Sequence, residues 1–181
     1  GTPVPFPTAT PEKRDALGHF EPEFVLVSQG GERAMQRRLN EETLESACPL
    51  HSLAGQFAGI VAEEMQIVCS QSLKAGVLDW DTFLVGWYRM VRRIVLGAAA
   101  RDDAGLTDLL EALRYRSNYA FMRWKDRGKR QEFLDRVLRY VQRGDPASLA
   151  GRMASFCSSP DQKPHHQLPQ YLFAFDPGAM A

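Results

Sequence analysis

Gly31-Glu32-Arg33-Ala34-Met35-Gln36-Arg37-Arg38-Leu39-Asn40 reads as the start of a helix, and it follows a short apolar stretch, Phe24-Val25-Leu26-Val27, with the pattern of a strand. Four residues apart on a helix, Arg33 and Arg37 share a face, so two guanidinium forks can converge on one pair of carboxylates. The competing reading makes Arg37 and Arg38 solvated surface groups opposite Glu41, Glu42 and Glu45. From Gly31 onward the pattern is almost wholly helical, with six or seven segments punctuated by glycine, proline and acidic caps.

Each segment carries its own signals. Cys48-Pro49 closes the first, because proline disfavours helix just before it. A second helix is expected from about His51 to Lys74, with Leu53, Phe57, Ile60, Val61, Met65 and Val68 at three- and four-residue intervals and Gly76 as its stop. Asp79 is a suitable N-cap for a third, whose stripe is Phe83, Trp87, Met90, Val91, Ile94 and Val95. Asp102 or Asp103 caps a fourth holding Leu106, Leu109, Leu110 and Leu113, and Tyr115 to Trp124 is expected to continue it. Gly128 then breaks the chain before Glu132–Arg143, with Phe133, Val137, Leu138 and Val141 as the stripe. Asp145-Pro146 predicts a further helix start, ending near Cys157. Ser158–Pro169 reads as a polar loop with the His165-His166 pair. Gln170 to Ala181 is apolar nearly all round, the pattern of a buried central helix.

Upstream, Pro3, Pro5, Pro7 and Pro11 preclude a regular helix or central strand over Gly1–Pro11. Residues 1–20 are therefore expected as an extended lead-in and 21–181 as the helical segment of a larger domain, since the last apolar run stops in mid-pattern.

Composition bounds the function classes. The 181 residues are 44% hydrophobic and 24% charged, as in an ordinary globular domain rather than a disordered chain. The 22 basic and 22 acidic residues cancel, but six Lys/Arg face twelve Asp/Glu in residues 1–82 and the remainder has the opposite imbalance. That segregation fits docking of the two halves, or a basic face for an acidic protein or a nucleic acid. Cys48, Cys69 and Cys157 form no Cys-x-x-Cys pair and no zinc spacing, so buried free thiols in a reducing cytoplasm are expected. No apolar run has the roughly 18 residues of a membrane span, and the start lacks the features of a secretory signal, so no membrane role is expected.

Taken in order, an arginine-bearing helix, four or five amphipathic helices, a variable loop and an apolar helix with a Gly-Ala interruption resemble the middle portion of a bacterial, actinobacterial-type cytochrome P-450, a heme-thiolate monooxygenase. The resemblance runs from about Phe20 to Ala181. It implies a mainly α fold, a multi-helix array ending within the central distal helix, with heme b as cofactor. In that family the early helix carries His-x-x-x-Arg or Trp-x-x-x-Arg, which holds the heme propionates. Arg33 and Arg37 stand at the matching positions, with arginine in place of the ring. The family's distal helix carries Ala/Gly-Gly-x-Asp/Glu-Thr. Pro177-Gly178-Ala179-Met180-Ala181 overlays it in two frames, neither complete, and Gly178 and Ala179 would form the distal groove. Tyr119, Phe121, Trp124, Phe173 and Phe175 would line the pocket of a small apolar substrate.

The resemblance also sets limits. The family's Glu-x-x-Arg helix and Phe-x-x-Gly-x-x-x-Cys-x-Gly loop are absent, so no residue is assigned as catalytic or as a metal ligand. The chain alone is not expected to oxygenate. The remainder of the polypeptide would supply the cysteine ligand, and a ferredoxin-type partner the electrons, in a monooxygenase or, with peroxide, a peroxygenase.

The other candidates have simpler readings. Adjacent His165 and His166 diverge and lack an acidic or cysteine partner at ligand spacing. His51 reads as a cap-region residue beneath the arginine-bearing helix and His19 as a turn residue, neither paired with a nucleophile. Residues 123–143 hold eight Lys/Arg against three Asp/Glu, just after Tyr119, Phe121 and Trp124. That reads as a solvated helix face in preference to a nucleic-acid surface. It also defines the alternative function, a noncatalytic all-helical interaction module that binds an acidic partner through its basic face.

Overall fold

The computed structural model describes residues 9–120 and 122–174, and these fold into eight α-helices with no strand among them. In chain order they are α1 (Pro11–Leu17), α2 (Gly30–Thr43), α3 (Ala54–Ala75), α4 (Trp80–Leu96), α5 (Ala104–Ser117), α6 (Arg127–Arg143), α7 (Leu149–Phe156) and α8 (Pro164–Ala174). Short 3-10 turns cover Ala98–Ala100 and Pro160–Gln162. The mainly α class expected from the sequence is the class observed.

Local chemistry sets most helix starts. Asp79 accepts from Thr82 N at 2.7 Å, Asp103 from Leu106 N at 3.2 Å, Asp126 from Lys129 N at 3.0 Å and Ser148 from Gly151 N at 3.1 Å. Each bond satisfies one of the amide donors that a helix start leaves unpaired. Gly76 and Gly144 end α3 and α6 in the left-handed region, at φ +74 and +61.

The core lies where α4, α5, α6, α7 and α8 meet. Leu39, Val95, Leu113, Phe133, Val137, Met153 and Leu168 are fully buried there, each large apolar side chain worth roughly 1.5–3 kcal/mol of transfer free energy. Helix α8 packs against α4, α6 and α7. Helix α3 packs chiefly on α4, where buried Val68 lies against Gly86.

Several expectations are corrected. Pro11–Leu17 is a helix rather than extended chain, because proline is tolerated at the first helical position and the Thr10 hydroxyl accepts from Lys13 N. Phe24–Val27 forms turns: no partner strand is present among the described residues, and the segment is tied to helices instead. Only Leu53 and Val68 of the six-residue α3 stripe are buried, because one neighbouring helix cannot cover it. Helix α5 stops at Ser117, with a loop before α6. Gly128 lies in the first turn of α6, which Asp126 caps. Helix α7 starts at Leu149 rather than at Pro146; Asp145 caps Ala98 N at 2.9 Å and Ala147 N at 3.0 Å, leaving Ser148 as the helix cap. The supposed loop 158–169 is largely helix, with Pro164 opening α8 and the histidines in its first turn.

Candidate functional site

Helix α2 presents two faces. Its buried face is Gln36, Leu39, Asn40 and Thr43. Gln36 fixes the start of the helix to the preceding segment: its Oε1 accepts from the Ser28 hydroxyl at 2.6 Å, and its Nε2 donates to Glu23 O and Glu32 Oε1, both at 3.1 Å. One turn on, Asn40 Nδ2 donates to Gln167 Oε1 at 3.1 Å and Asn40 Oδ1 accepts from the Tyr171 hydroxyl at 2.6 Å. Gln167 in turn accepts from Val25 N and donates to Glu23 O. Ser28, Gln36, Asn40, Gln167 and Tyr171 thus form one buried network joining segment 23–28, α2 and α8. Burial pushes the Tyr171 phenol far up, so it stays protonated and keeps donating. A fully satisfied buried network rigidifies its neighbours, whereas a broken one leaves costly orphans.

The flank of α2 carries the arginines. Arg37 Nε bonds Glu41 Oε1 at 2.7 Å and Arg38 Nε bonds Glu42 Oε1 at 2.9 Å, both as exposed pairs four residues apart. For these two the solvated reading describes what is seen. Arg33 is half-buried on the same side of the helix as Arg37.

The other predicted positions are dispersed. Phe173 packs on Phe20 with ring centroids 6.2 Å apart, and the Arg114 guanidinium lies 4.3 Å from its ring centre. Tyr119 packs on Tyr115 at 5.4 Å, while Trp124 stands 92% exposed. Phe121, Phe175, Gly178 and Ala179 lie outside the described residues. Sequence reasoning missed the Asn40–Gln167–Tyr171 bonds; its one available signal was a polar pair, Gln36 and Asn40, on the apolar face of a helix.

Two buried acids have opposite environments. Glu64 accepts from Arg93 Nη1 at 2.8 Å, Arg101 Nε at 2.7 Å and Arg101 Nη2 at 2.9 Å. Burial pushes its carboxyl up, but the hydrogen bonds from Arg101 and Arg93 outweigh that and hold it below the usual value. Glu21 is also fully buried, yet among the described residues neither of its oxygens nor either nitrogen of neighbouring buried His19 has a hydrogen-bond partner. Burial pushes the Glu21 carboxyl up to about 9, with only a small opposing pull from Lys13. Glu21 is therefore a neutral acid at pH 7.

Remaining groups offer little chemistry. His51 Nε2 lies 3.0 Å from Thr43 O and its Nδ1 accepts from Leu53 N, a bridge between α2 and α3. His165 and His166 pack edge to face at 4.4 Å, and burial, reinforced by His165, pushes His166 down to about 4. No group of three or more His, Cys, Asp or Glu with metal-holding geometry occurs among the described residues. Cys48 and Cys69 are exposed and Cys157 is half-buried, so the expectation of buried thiols is corrected. An open groove of about 430 Å³ runs between α4 and α5. Its Arg92 is no free anion receptor, because the guanidinium already donates to Ala100 O, Arg101 O and Thr107 Oγ1.

The fold and its buried site thus define an all-helical array in which α2 and α8 are clamped together by side-chain hydrogen bonds. No family model, curated protein or solved structure matches the chain.

Proposed function

We propose that the chain is part of a heme-dependent oxygenase of the cytochrome P-450 kind, acting on a small apolar molecule in the cytoplasm, with a ferredoxin-type donor or peroxide as the oxidising supply. The observation that carries this reading is the clamp between α2 and α8 through Asn40, Gln167 and Tyr171. A cofactor gripped at its edge by one helix and covered by another needs those two helices in fixed register, since sub-ångström misplacement is felt in catalysis. The order of the sequence supports it too, with Arg33 and Arg37 on α2 and Gly178-Ala179 later in the chain than α8.

The donor set fits the carboxylate edge of a heme and not its iron. Arg33 and Arg37 lie on one flank of α2 and would take the propionates, with Arg37 exchanging its Glu41 partner for a carboxylate of the same charge. Cys48 and Cys69 are exposed and Cys157 donates through its Sγ to Ser159 O, and the resemblance assigns none of the three as the iron's thiolate. When bound, heme would supply the oxygen-activating redox chemistry. The chain's own part is to hold the propionate edge and to keep α8 in place against it.

Hemin titration of the purified chain tests the assignment. Saturable binding with a Soret band is expected, weakened in Arg33→Ala/Arg37→Ala and unchanged in Arg38→Ala, an exposed arginine of the same helix. A titration indifferent to Arg33 and Arg37 removes the propionate assignment.

A further inference from the structure

The loop between α5 and α6 carries an arrangement that the core does not use, and Tyr119 and Trp124, pocket candidates of the heme resemblance, are among its exposed side chains. Trp124 is 92% exposed, Met122 66%, Tyr115 56% and Tyr119 41%. Leaving such side chains in water forfeits roughly 1.5–3 kcal/mol each relative to burial. The sequence around them is cationic: of residues 114–130, seven are Lys or Arg and Asp126 is the single acid.

Some of those cations brace the loop. Lys125 Nζ pairs with Asp15 at 2.6 Å, Arg116 donates to Trp124 O at 3.3 Å, and Arg130 donates to Gly18 O. Others are left over. Arg123 lies over the Tyr115 ring, 5.6 Å from its centre, and Arg123, Arg127 and Lys129 make no ion pair among the described residues. The result is a braced platform with an apolar tip and three cations that no anion among the described residues pairs with.

We propose that this loop docks the protein peripherally on an anionic phospholipid bilayer, with Trp124 and Met122 in the interfacial layer and Arg123, Arg127 and Lys129 on headgroup phosphates. Indole rings partition to the membrane interface, and guanidinium forks match phosphate geometry. Docking of this kind uses surface side chains and needs no spanning segment. No described helix is long and apolar enough to cross a membrane.

The same details disfavour other anionic partners. Tyr115 packs against Tyr119 and Arg123, so of the loop's described rings Trp124 alone stands fully open, whereas single-strand binding stacks successive bases on several aromatics. The depression beside the loop is lined by Arg123 and Arg127 next to the Asp15–Lys125 pair, and its rim carries Trp124 and Met122, whose exposed apolar surface suits the interfacial layer of a bilayer better than a polar acidic peptide. The proposal is independent of the heme reading, and its readout is vesicle binding rather than colour.

Cosedimentation of the purified chain with phosphatidylcholine vesicles, with and without phosphatidylglycerol, provides the test. Binding is expected on the anionic vesicles alone and falls as salt rises. Arg123→Gln, Arg127→Gln and Lys129→Gln should each weaken it about fivefold, and Trp124→Ala about tenfold. Arg139→Gln, about three turns further along α6, should leave it unchanged. Circular dichroism confirms that these exposed substitutions keep the fold. Equal binding to neutral vesicles, no binding, or binding indifferent to Trp124 overturns the proposal. Retention of a single-stranded RNA or an acidic peptide through these same residues, without vesicle binding, overturns it in favour of that partner.

Discussion

Gly86 is a point at which α4 packs directly on Val68 of α3, and replacing it measures that contact. A Cβ there would lie 2.2 Å from Val68 Cγ2 and 3.5 Å from Met65 Cε. Carbon atoms pack at about 3.5–4.0 Å, so Gly86→Ala must separate the helices by about 1.5 Å or turn Val68 off its rotamer. Val68 is β-branched and 3% exposed, which makes it a poor candidate to yield. Overpacking of this kind costs about 1–3 kcal/mol. Alanine returns about 1 kcal/mol through its better helix propensity, leaving a net loss of about 1 kcal/mol. A double-mutant cycle isolates the clash. Val68→Ala alone should cost about 2 kcal/mol by removing buried methyls and leaving a cavity. Made in the Gly86→Ala variant, the same change makes room for the new methyl and should cost close to nothing. The coupling is then about 2 kcal/mol, within the range for residues in direct contact. Urea denaturation followed by far-UV circular dichroism gives all four stabilities. If Gly86→Ala stabilises the protein, or if Val68→Ala costs the same in both backgrounds, α3 and α4 do not meet as described.

Three further substitutions probe the buried polar groups. Glu64→Gln should cost about 2–3 kcal/mol near neutral pH, because it removes the buried carboxylate that Arg93 and Arg101 share and leaves them only the exposed Glu63 and Asp102. Since the folded Glu64 value lies below the usual 4.5, its stabilisation is complete above that value and is lost as pH falls through the lower folded one. An acid titration of stability should therefore be shallower in the variant than in the parent. Glu21 has the opposite sign: the folded carboxyl stays protonated up to about 9, whereas the unfolded one ionises from 4.5 upward. Stability thus declines as pH rises between those values, and Glu21→Gln should flatten the decline and gain on the order of 3 kcal/mol at pH 7; parallel pH profiles for the two proteins would contradict the burial. Tyr171→Phe should cost about 1–2 kcal/mol, because Asn40 Oδ1 loses its donor, and a thermal melt indistinguishable from the parent would show that the bond is not made.

What the sequence disclosed divides along the range of the interactions involved. The caps at Asp79 and Asp103, the stop at Gly76 and the stripe of Met90, Val91, Ile94 and Val95 are all local, and the structure has them where the pattern placed them. The α3 stripe was misread because periodicity reports what could be buried, whereas burial needs a second helix to cover it. Asp145-Pro146 was misread because Asp145 is used at long range, on Ala98 N, leaving the start of α7 to Ser148.

The same division runs through the candidate site. The pairing of Arg37 with Glu41 is a four-residue relation and was legible as the competing reading. The contact that fixes α2 against α8 joins Asn40 to Gln167 and Tyr171, more than a hundred positions apart, and no local pattern can announce it. Its trace is a cost: two amide side chains and a phenol are buried where apolar groups would need no partners. Polar groups kept in a core at that cost fix one helix register against alternatives that an apolar seam would tolerate. A fixed register between α2 and α8 has value where both helices must address the same object. The arginines on the flank of α2, rather than the helix count, are therefore the residues against which a bound cofactor should first be tested.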